Sequence, residues 1–259
     1  MHHRNKLRWA RHHIEVLNDA VVRFEKDKPY STSLEVDPKA GKCRSRYTQT
    51  HTPPTDDWSL IVGDIIHNLR SALDHLTFAI FCKKVGPALA EKFKKKIQFP
   101  IFDTPEEWND RWQRQPKALR LKSIHDALKA HQPFSTPVAP SIHQLSMLRD
   151  LSNLDKHRNI VVTVSRDLAR GYVQRKGEFP VGLVIRHGPY YSGDIVAEWP
   201  DTGPASHYDV GGNIRIHPQL SFAIDTPGQG RPIFEWINLV IIPHVENAVF
   251  PALEDFLNA

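Results

Sequence analysis

Gly63-Asp64-Ile65-Ile66-His67-Asn68-Leu69-Arg70-Ser71-Ala72-Leu73-Asp74-His75-Leu76 lies inside the longest uninterrupted helical pattern of the chain, about residues 57–83. At roughly 100° per residue, Ile61, Ile65, Leu69, Ala72, Leu76 and Ala79 share one face. Asp64, Asn68, Ser71 and His75 form a stripe beside it, Arg70 and Asp74 lie on the far shoulder, and His67 falls between the two groups. A solvated helix face usually carries Lys and Glu, whose long side chains favour helix. Neither occurs between Asp64 and His75, where short donors and acceptors stand instead. The stretch therefore predicts a packed helix with a polar seam along it. Thr55, Asp56 and Asp57 supply its N-cap after Pro53 and Pro54.

Upstream, Leu7, Ala10, Ile14, Leu17, Val21 and Phe24 recur at helical spacing and predict a first helix over residues 5–28, ended by Pro29. Residues 30–52 are rich in Ser, Thr, Val and Tyr and are split by Asp37-Pro38-Lys39-Ala40-Gly41, the pattern of a β-hairpin. Downstream, residues 86–132 are broken and basic, with a short apolar piece at 97–102 and Thr104-Pro105-Glu106-Glu107 opening another helix. After the Pro-bearing linker 132–141, Ser141 is expected to cap a helix running to about Arg158. Five β-like runs follow, at 160–164, 171–174, 181–186, 195–199 and 214–224, read as a small antiparallel sheet. The last helix, 232–257, contains Pro243, expected to kink or split it, and Pro251, expected to interrupt it again. The fold class is α+β: four main helices forming a bundle, a β-hairpin after the first and a small sheet inserted before the last. As a single domain of 1–259, its helical core is 1–29, 54–158 and 231–259, with the hairpin at 30–53 and the β-rich insertion at 159–230.

The composition fits that picture. The chain has 259 residues, 40% hydrophobic and 24% charged, which excludes disordered, collagenous and disulfide-stapled classes. Cys43 and Cys82 are too few for a disulfide framework and fit a reducing cytoplasm, and neither has a His partner in sequence that would make it a nucleophile. No stretch approaches 18 apolar residues, and the opening MHHRNKLRW lacks the run of a signal peptide, so no membrane partner is expected. The net charge of +5 permits a polyanionic partner without requiring one. In the insertion, Gly211-Gly212 lacks the following helix of a phosphate loop, and Trp199, Tyr190 and Tyr191 read as core aromatics.

The helix over 141–158 repeats the polar pattern. His143, Ser146, Asp150, Asn153 and His157 share one face, beside Met147, Leu151 and Leu154. Two such stripes are expected to meet in a polar seam. One reading makes the seam a hydrogen-bonded network that fixes register; the other makes its open end a site.

Arg70-Ser71-Ala72-Leu73-Asp74-His75, within Asn68-Leu69-Arg70-Ser71, resembles the Arg-x4-His ribonuclease motif of the HEPN superfamily, helical bundles of toxin–antitoxin, phage-defence and RNA-processing systems. Gly63–His75 together with Asn153-Leu154-Asp155-Lys156-His157-Arg158 also looks like a group of uncharacterised bacterial proteins, a likeness that brings no activity with it. The HEPN resemblance implies metal-independent RNA cleavage, in which a 2′-hydroxyl attacks the neighbouring phosphate to leave a cyclic phosphate and a 5′-hydroxyl. His75 would move the proton, Arg70 would hold the phosphate, and Asn68 or Asp74 would orient them. Five residues rotate a helix by roughly 140°, so Arg70 and His75 of one chain diverge. The composite site therefore requires a homodimer.

Lys94, Lys95, Lys96, Arg111 and Arg114, with Lys92, Lys117, Arg120 and Lys122 and close to Trp108 and Trp112, can track an RNA backbone; the alternative is a solvated face. The implied partners are RNA, a second copy of the chain, and an antitoxin or other protein; no cofactor is implied. Three rivals stand beside the nuclease. One is a non-catalytic interaction module. A second is a metal-binding bundle using Asp64, His75, His143, Asp150 and His157, although neither stripe holds a Glu-x-x-His pair. The third makes Arg70 simply the i,i+4 partner of Asp74.

Overall fold

Helix α2, Thr55–Val85, buries Trp58, Val62, Ile65, Ile66, Leu69, Leu73, Leu76, Ile80 and Phe81, more than one face of the cylinder. Ile61 and Ala79, expected on the apolar face, are only half-buried. The helix lies between neighbours on two sides. On one is α1, His2–Lys26, whose Leu7, Ala10, Ile14 and Leu17 are buried. On the other is α6, Gln144–His157, with Leu145, Met147, Leu148 and Leu151 buried. Shorter helices α3 (Pro87–Lys92), α4 (Pro105–Gln113) and α5 (Lys122–Ala130) connect them. A Cβ at Gly63 would stand 2.5 Å from Asp155 Oδ1. The absence of a side chain there is what lets α6 lie this close to α2.

The computed structural model describes residues 2–157, 160–165, 182–186, 191–203, 219–223 and 226–258. They make an α+β chain of two units: residues 1–17, 56–162 and 222–259 in the first, 18–55 and 163–221 in the second. The first unit closes with α7, Ile233–Asn258. This helix runs on through Pro243 and Pro251 instead of splitting. Its backbone widens into π turns at Ile237–Ile241 and Val245–Val249, leaving Pro243 in the three-residue α stretch between them. A π turn shifts the hydrogen bond to i→i+5, and this accommodates a ring that lacks an N–H and would strike the i−4 carbonyl. By length and mean hydropathy α7 is apolar enough to cross a membrane. Its Ile233, Ile237, Ile241, Val245, Val249 and Leu253 are nevertheless fully buried along one side, as in a core helix, with Leu239 exposed on the other.

In the second unit, β1 (Tyr30–Asp37) and β2 (Lys42–Gln49) form the expected hairpin, in register from Tyr30 opposite Gln49 to Asp37 opposite Lys42. Gly41 takes φ 61° in the turn, and Asp37 Oδ1 accepts from Ala40 N at 3.0 Å. β3 (Val162–Ser165), β4 (Val184–Ile185), β5 (Ile195–Pro200) and β6 (Gln219–Phe222) are the strands described in the insertion. They do not form one sheet. β5 and β4 extend the hairpin in the order β1-β2-β5-β4, while β3 and β6 pair separately. Val196, Ala197 and Trp199 of β5 bury against Cys43 and Tyr47 of β2, so the hairpin supplies both the edge and the core that the insertion needs. Trp199 is a core aromatic, as read, and Cys43 is fully buried in the same cluster. Tyr191 is 66% exposed and not a core residue. The strand expected at 171–174, most of that at 214–224, Tyr190, Gly211-Gly212 and Arg158 lie outside the described residues.

The start of α6 also differs from expectation. Pro140–Ile142 winds into a 3-10 turn that takes up Ser141, and His143 caps the helix instead, its Nδ1 accepting from Leu145 N at 3.1 Å. The two polar stripes do not meet. Asn68 accepts from Lys6 Nζ of α1 at 3.3 Å, and the His75 ring lies 6.5 Å from that of His2, so the first stripe faces α1. On α6, burial raises the Asp155 carboxyl above its usual range, with His67 opposing and Asp64 adding to the shift.

Candidate functional site: a cationic pocket at the second helix

From Ile97 to Ile101 the chain buries Ile97, Phe99 and Ile101 alternately, yet it pairs with no strand among the described residues. Side chains supply the hydrogen bonds of Phe99 and Pro100. Asp74 Oδ1 accepts from Phe99 N at 2.8 Å, and Arg70 Nη2 donates to Phe99 O at 2.6 Å. Gln132, fully buried, accepts from Phe102 N at 3.0 Å and donates to Pro100 O at 2.9 Å. Arg70 and Asp74 are themselves paired at 3.1 Å, one turn apart on α2. The i,i+4 pairing anticipated for them is present, and it also holds both backbone groups of Phe99. Burial pushes the Asp74 carboxyl above its usual range and the Arg70 guanidinium below its own, each opposed by the other's charge. Arg70 Nη1 is buried and meets no acceptor among the described residues.

Arg70 also lines a cavity of about 200 Å³, together with Lys96, Arg111, Arg149 and Lys156. Five cations line this space and, among the described residues, no carboxylate does. Arg149 is anchored from behind: its Nη2 bonds Asp103 at 2.8 Å and its Nε bonds Asp150 at 2.7 Å, while Ser146 Oγ donates to Asp103 at 2.6 Å. These carboxylates hold Arg149 charged, raising it above the ordinary arginine range. Lys96, Arg111 and Lys156 make no ion pair among the described residues.

One wall of the cavity is aromatic. Thr104 Oγ1 caps α4 by accepting from Glu107 N at 3.2 Å, as its sequence indicated. The helix then presents Trp108 and Trp112, stacked at 5.8 Å and 13°. Trp108 Nε1 donates to His125 Nε2 at 2.9 Å, so that nitrogen carries no proton and Nδ1–H donates to Asp126 at 2.8 Å. The Asp126–His125–Trp108 chain fixes the indole, and Trp112 rests on the His125 edge at 4.8 Å.

The candidate residues read from sequence are only partly brought together. Arg70, Lys96, Arg111 and Asn153 line the pocket. His75 does not. It opens, exposed, into a second cavity of about 790 Å³ with His2, His3, Asp74, Phe78, Glu91 and Lys94. Partial burial and the neighbouring Lys6 and His2 lower its pKa and keep the imidazole neutral at pH 7. Lys95 is exposed outside both cavities, and Arg114 pairs with Asp110 at 2.9 Å. Asn68 is tied to Lys6 and to the Asp64 carbonyl, well away from Arg70's working end. In the second stripe, His143 is a buried cap, Asp150 holds Arg149 and His157 is exposed at the helix end. Among the described residues, no three His, Cys, Asp or Glu side chains are grouped as a metal would need.

Arg149, Ser152 and Lys156 were missed, although their signal was in the sequence. With Asn153 they sit at i, i+3, i+4 and i+7 of α6, one face that turns toward the pocket. Compared with protein-family models, curated proteins and solved structures, the chain matches none.

Proposed function

We propose that the chain acts on RNA and that the pocket at Arg70 seats one of its phosphates. The observation that carries this reading is the charge of the pocket: five cations without a lining carboxylate, and on Arg70 a buried Nη1 with donors to offer. A buried donor without an acceptor costs about 1–3 kcal/mol, and a phosphate oxygen is the acceptor that recovers it with charge assistance. The tryptophan wall suits an unstacked base, so single strands are favoured over duplex.

Cleavage of the HEPN type is the second part of the reading, and His75 supports it. It is exposed and neutral at pH 7, the state a general base requires. Because Arg70 and His75 face different cavities, the catalytic form is a two-fold homodimer in which His75 of one protomer reaches the phosphate held by Arg70 of the other. The helices of the first unit then form a bundle of the HEPN kind, in a cytoplasmic protein whose activity an antitoxin-like partner would restrain.

The test is a fluorescently labelled single-stranded RNA incubated with purified protein in EDTA. Binding weakens with salt by about 0.7 log units per log unit for each phosphate contact. Lys156→Ala reduces affinity several-fold, and His75→Ala abolishes cleavage while leaving binding and the circular dichroism spectrum intact. RNA affinity unchanged in Lys156→Ala refutes the pocket as the RNA site, and cleavage by His75→Ala refutes the nuclease reading.

A further inference from the structure

The size and charge of the pocket specify more than a backbone phosphate. Its 200 Å³ lies below the roughly 300–1,000 Å³ of pockets that enclose a drug-sized ligand. That volume suits one phosphate group better than a whole nucleotide. Asp74 pairs with Arg70, and Asp103 and Asp150 both pair with Arg149, so the five lining cations exceed these three carboxylates by a net charge of two, carried by Lys96, Arg111 and Lys156, unpaired among the described residues. A phosphodiester brings one negative charge. A phosphomonoester brings about 1.5–2 at pH 7 and so balances the site. Trp112 stands half-buried in the same wall, its ring set by Trp108 and His125.

We infer that the pocket recognises a phosphomonoester on a single nucleotide unit, with the phosphate on Arg70 and Lys156 and the base against Trp112. This inference rests on the RNA reading only in naming the source. The shared chemistry can arrive as the phosphorylated end of a single-stranded RNA or as a free mononucleotide. Arg70 Nη1 donates to the phosphate from the floor, and Lys96, Arg111 and Lys156 meet its remaining oxygens from around the cavity.

Tryptophan fluorescence of the full chain is titrated with inorganic phosphate, a ribonucleoside monophosphate and the unphosphorylated nucleoside. In parallel, one single-stranded RNA sequence is compared with a 5′-phosphate, with a 3′-phosphate and with hydroxyls at both ends. The expected result is at least tenfold tighter binding of a phosphate-ended RNA than of the hydroxyl-ended one, and of the nucleotide than of the nucleoside. The preference should shrink as pH falls through about 6, where the monoester loses its second charge. Trp112→Leu loses the advantage of nucleotide over inorganic phosphate, and Lys156→Gln, an exposed position on α6, weakens both. Equal affinity for phosphate-ended and hydroxyl-ended RNA overturns the inference and leaves the RNA reading standing. Mononucleotide binding without any RNA binding supports the inference and overturns the RNA reading.

Discussion

Replacing Asp74 is expected to move stability and ligand affinity in opposite directions. The Asp74 carboxylate holds Arg70 at 3.1 Å and the Phe99 amide at 2.8 Å, with the two side chains 27% and 15% exposed. Stripping one partner from a fully buried ion pair costs about 3–5 kcal/mol, and a buried amide without an acceptor costs about 1–3 kcal/mol more. Partial exposure lets water recover some of both, so Asp74→Ala is set at about 3 kcal/mol, which for a chain of this size lowers Tm by about 6–12 °C. Asp74→Asn keeps an oxygen for Phe99 N–H and loses only the charge, for about 1–2 kcal/mol. The same Asn variant no longer neutralises Arg70, so inorganic phosphate should bind the pocket about fivefold more tightly. Thermal melts followed by circular dichroism read the first effect, and tryptophan quenching reads the second. An Asp74→Ala protein melting within 1 °C of the parent would show that the pair does not hold the Ile97–Ile101 segment. Weaker phosphate binding by Asp74→Asn would show that Arg70 does not present its charge to the pocket.

Two further outcomes follow from other groups. His244 packs its ring 5.4 Å from that of His143, and burial among His143 and His131 lowers its pKa from 6.5 to about 4. The unfolded chain therefore takes up this proton before the folded one. The stability held at neutral pH falls as pH drops from about 6.5 to 4, by about 2–3 kcal/mol; His244→Leu should flatten that part of a pH series of urea midpoints. Thr104→Ala removes the cap of α4 for about 1 kcal/mol. Its signature is a red-shifted tryptophan emission from Trp108 and Trp112, together with the small drop in Tm.

What was legible in the sequence was what local rules decide. The hairpin follows from Asp37-Pro38-Lys39-Ala40-Gly41, the start of α4 from Thr104-Pro105-Glu106-Glu107, and the length of α2 from its unbroken periodicity. The failures each involve a competing local geometry or a distant partner. Pro243 signals a break, yet flanking π turns absorb it. Ser141 signals a cap, yet the proline before it winds a tighter turn and leaves the role to an imidazole, a side chain outside the usual capping set. The two polar stripes share a pattern but not a neighbour, because which helix α2 turns each side toward depends on the close approach at Gly63. The cationic face of α6 was readable by spacing alone. The more conspicuous histidines of the same helix mask it, because Arg149 and Lys156 sit beside them.

Arg70 is the residue on which the structural and functional readings converge, and the geometry allows it both roles. If it served only to brace Phe99, one donor to the carbonyl and one contact with Asp74 would suffice, and an apolar pair of similar volume would hold the same segment without the desolvation cost of two buried charges. Nη2 makes both of those contacts, and Nη1, left without an acceptor beside a cavity that no carboxylate lines among the described residues, adds a cost that bracing does not require. An anion entering the cavity would recover that cost with charge assistance. Asp74 lies on the other side of this pair and lines the cavity of His75, as Ile97 lines both. Asp74 thus pairs with the group that would grip a phosphate while lining the cavity of the imidazole that would move a proton, and the helix itself turns these two groups to different cavities. On the proposed reading, chemistry that uses both groups would be completed across a second copy, whereas phosphate binding would need one chain alone.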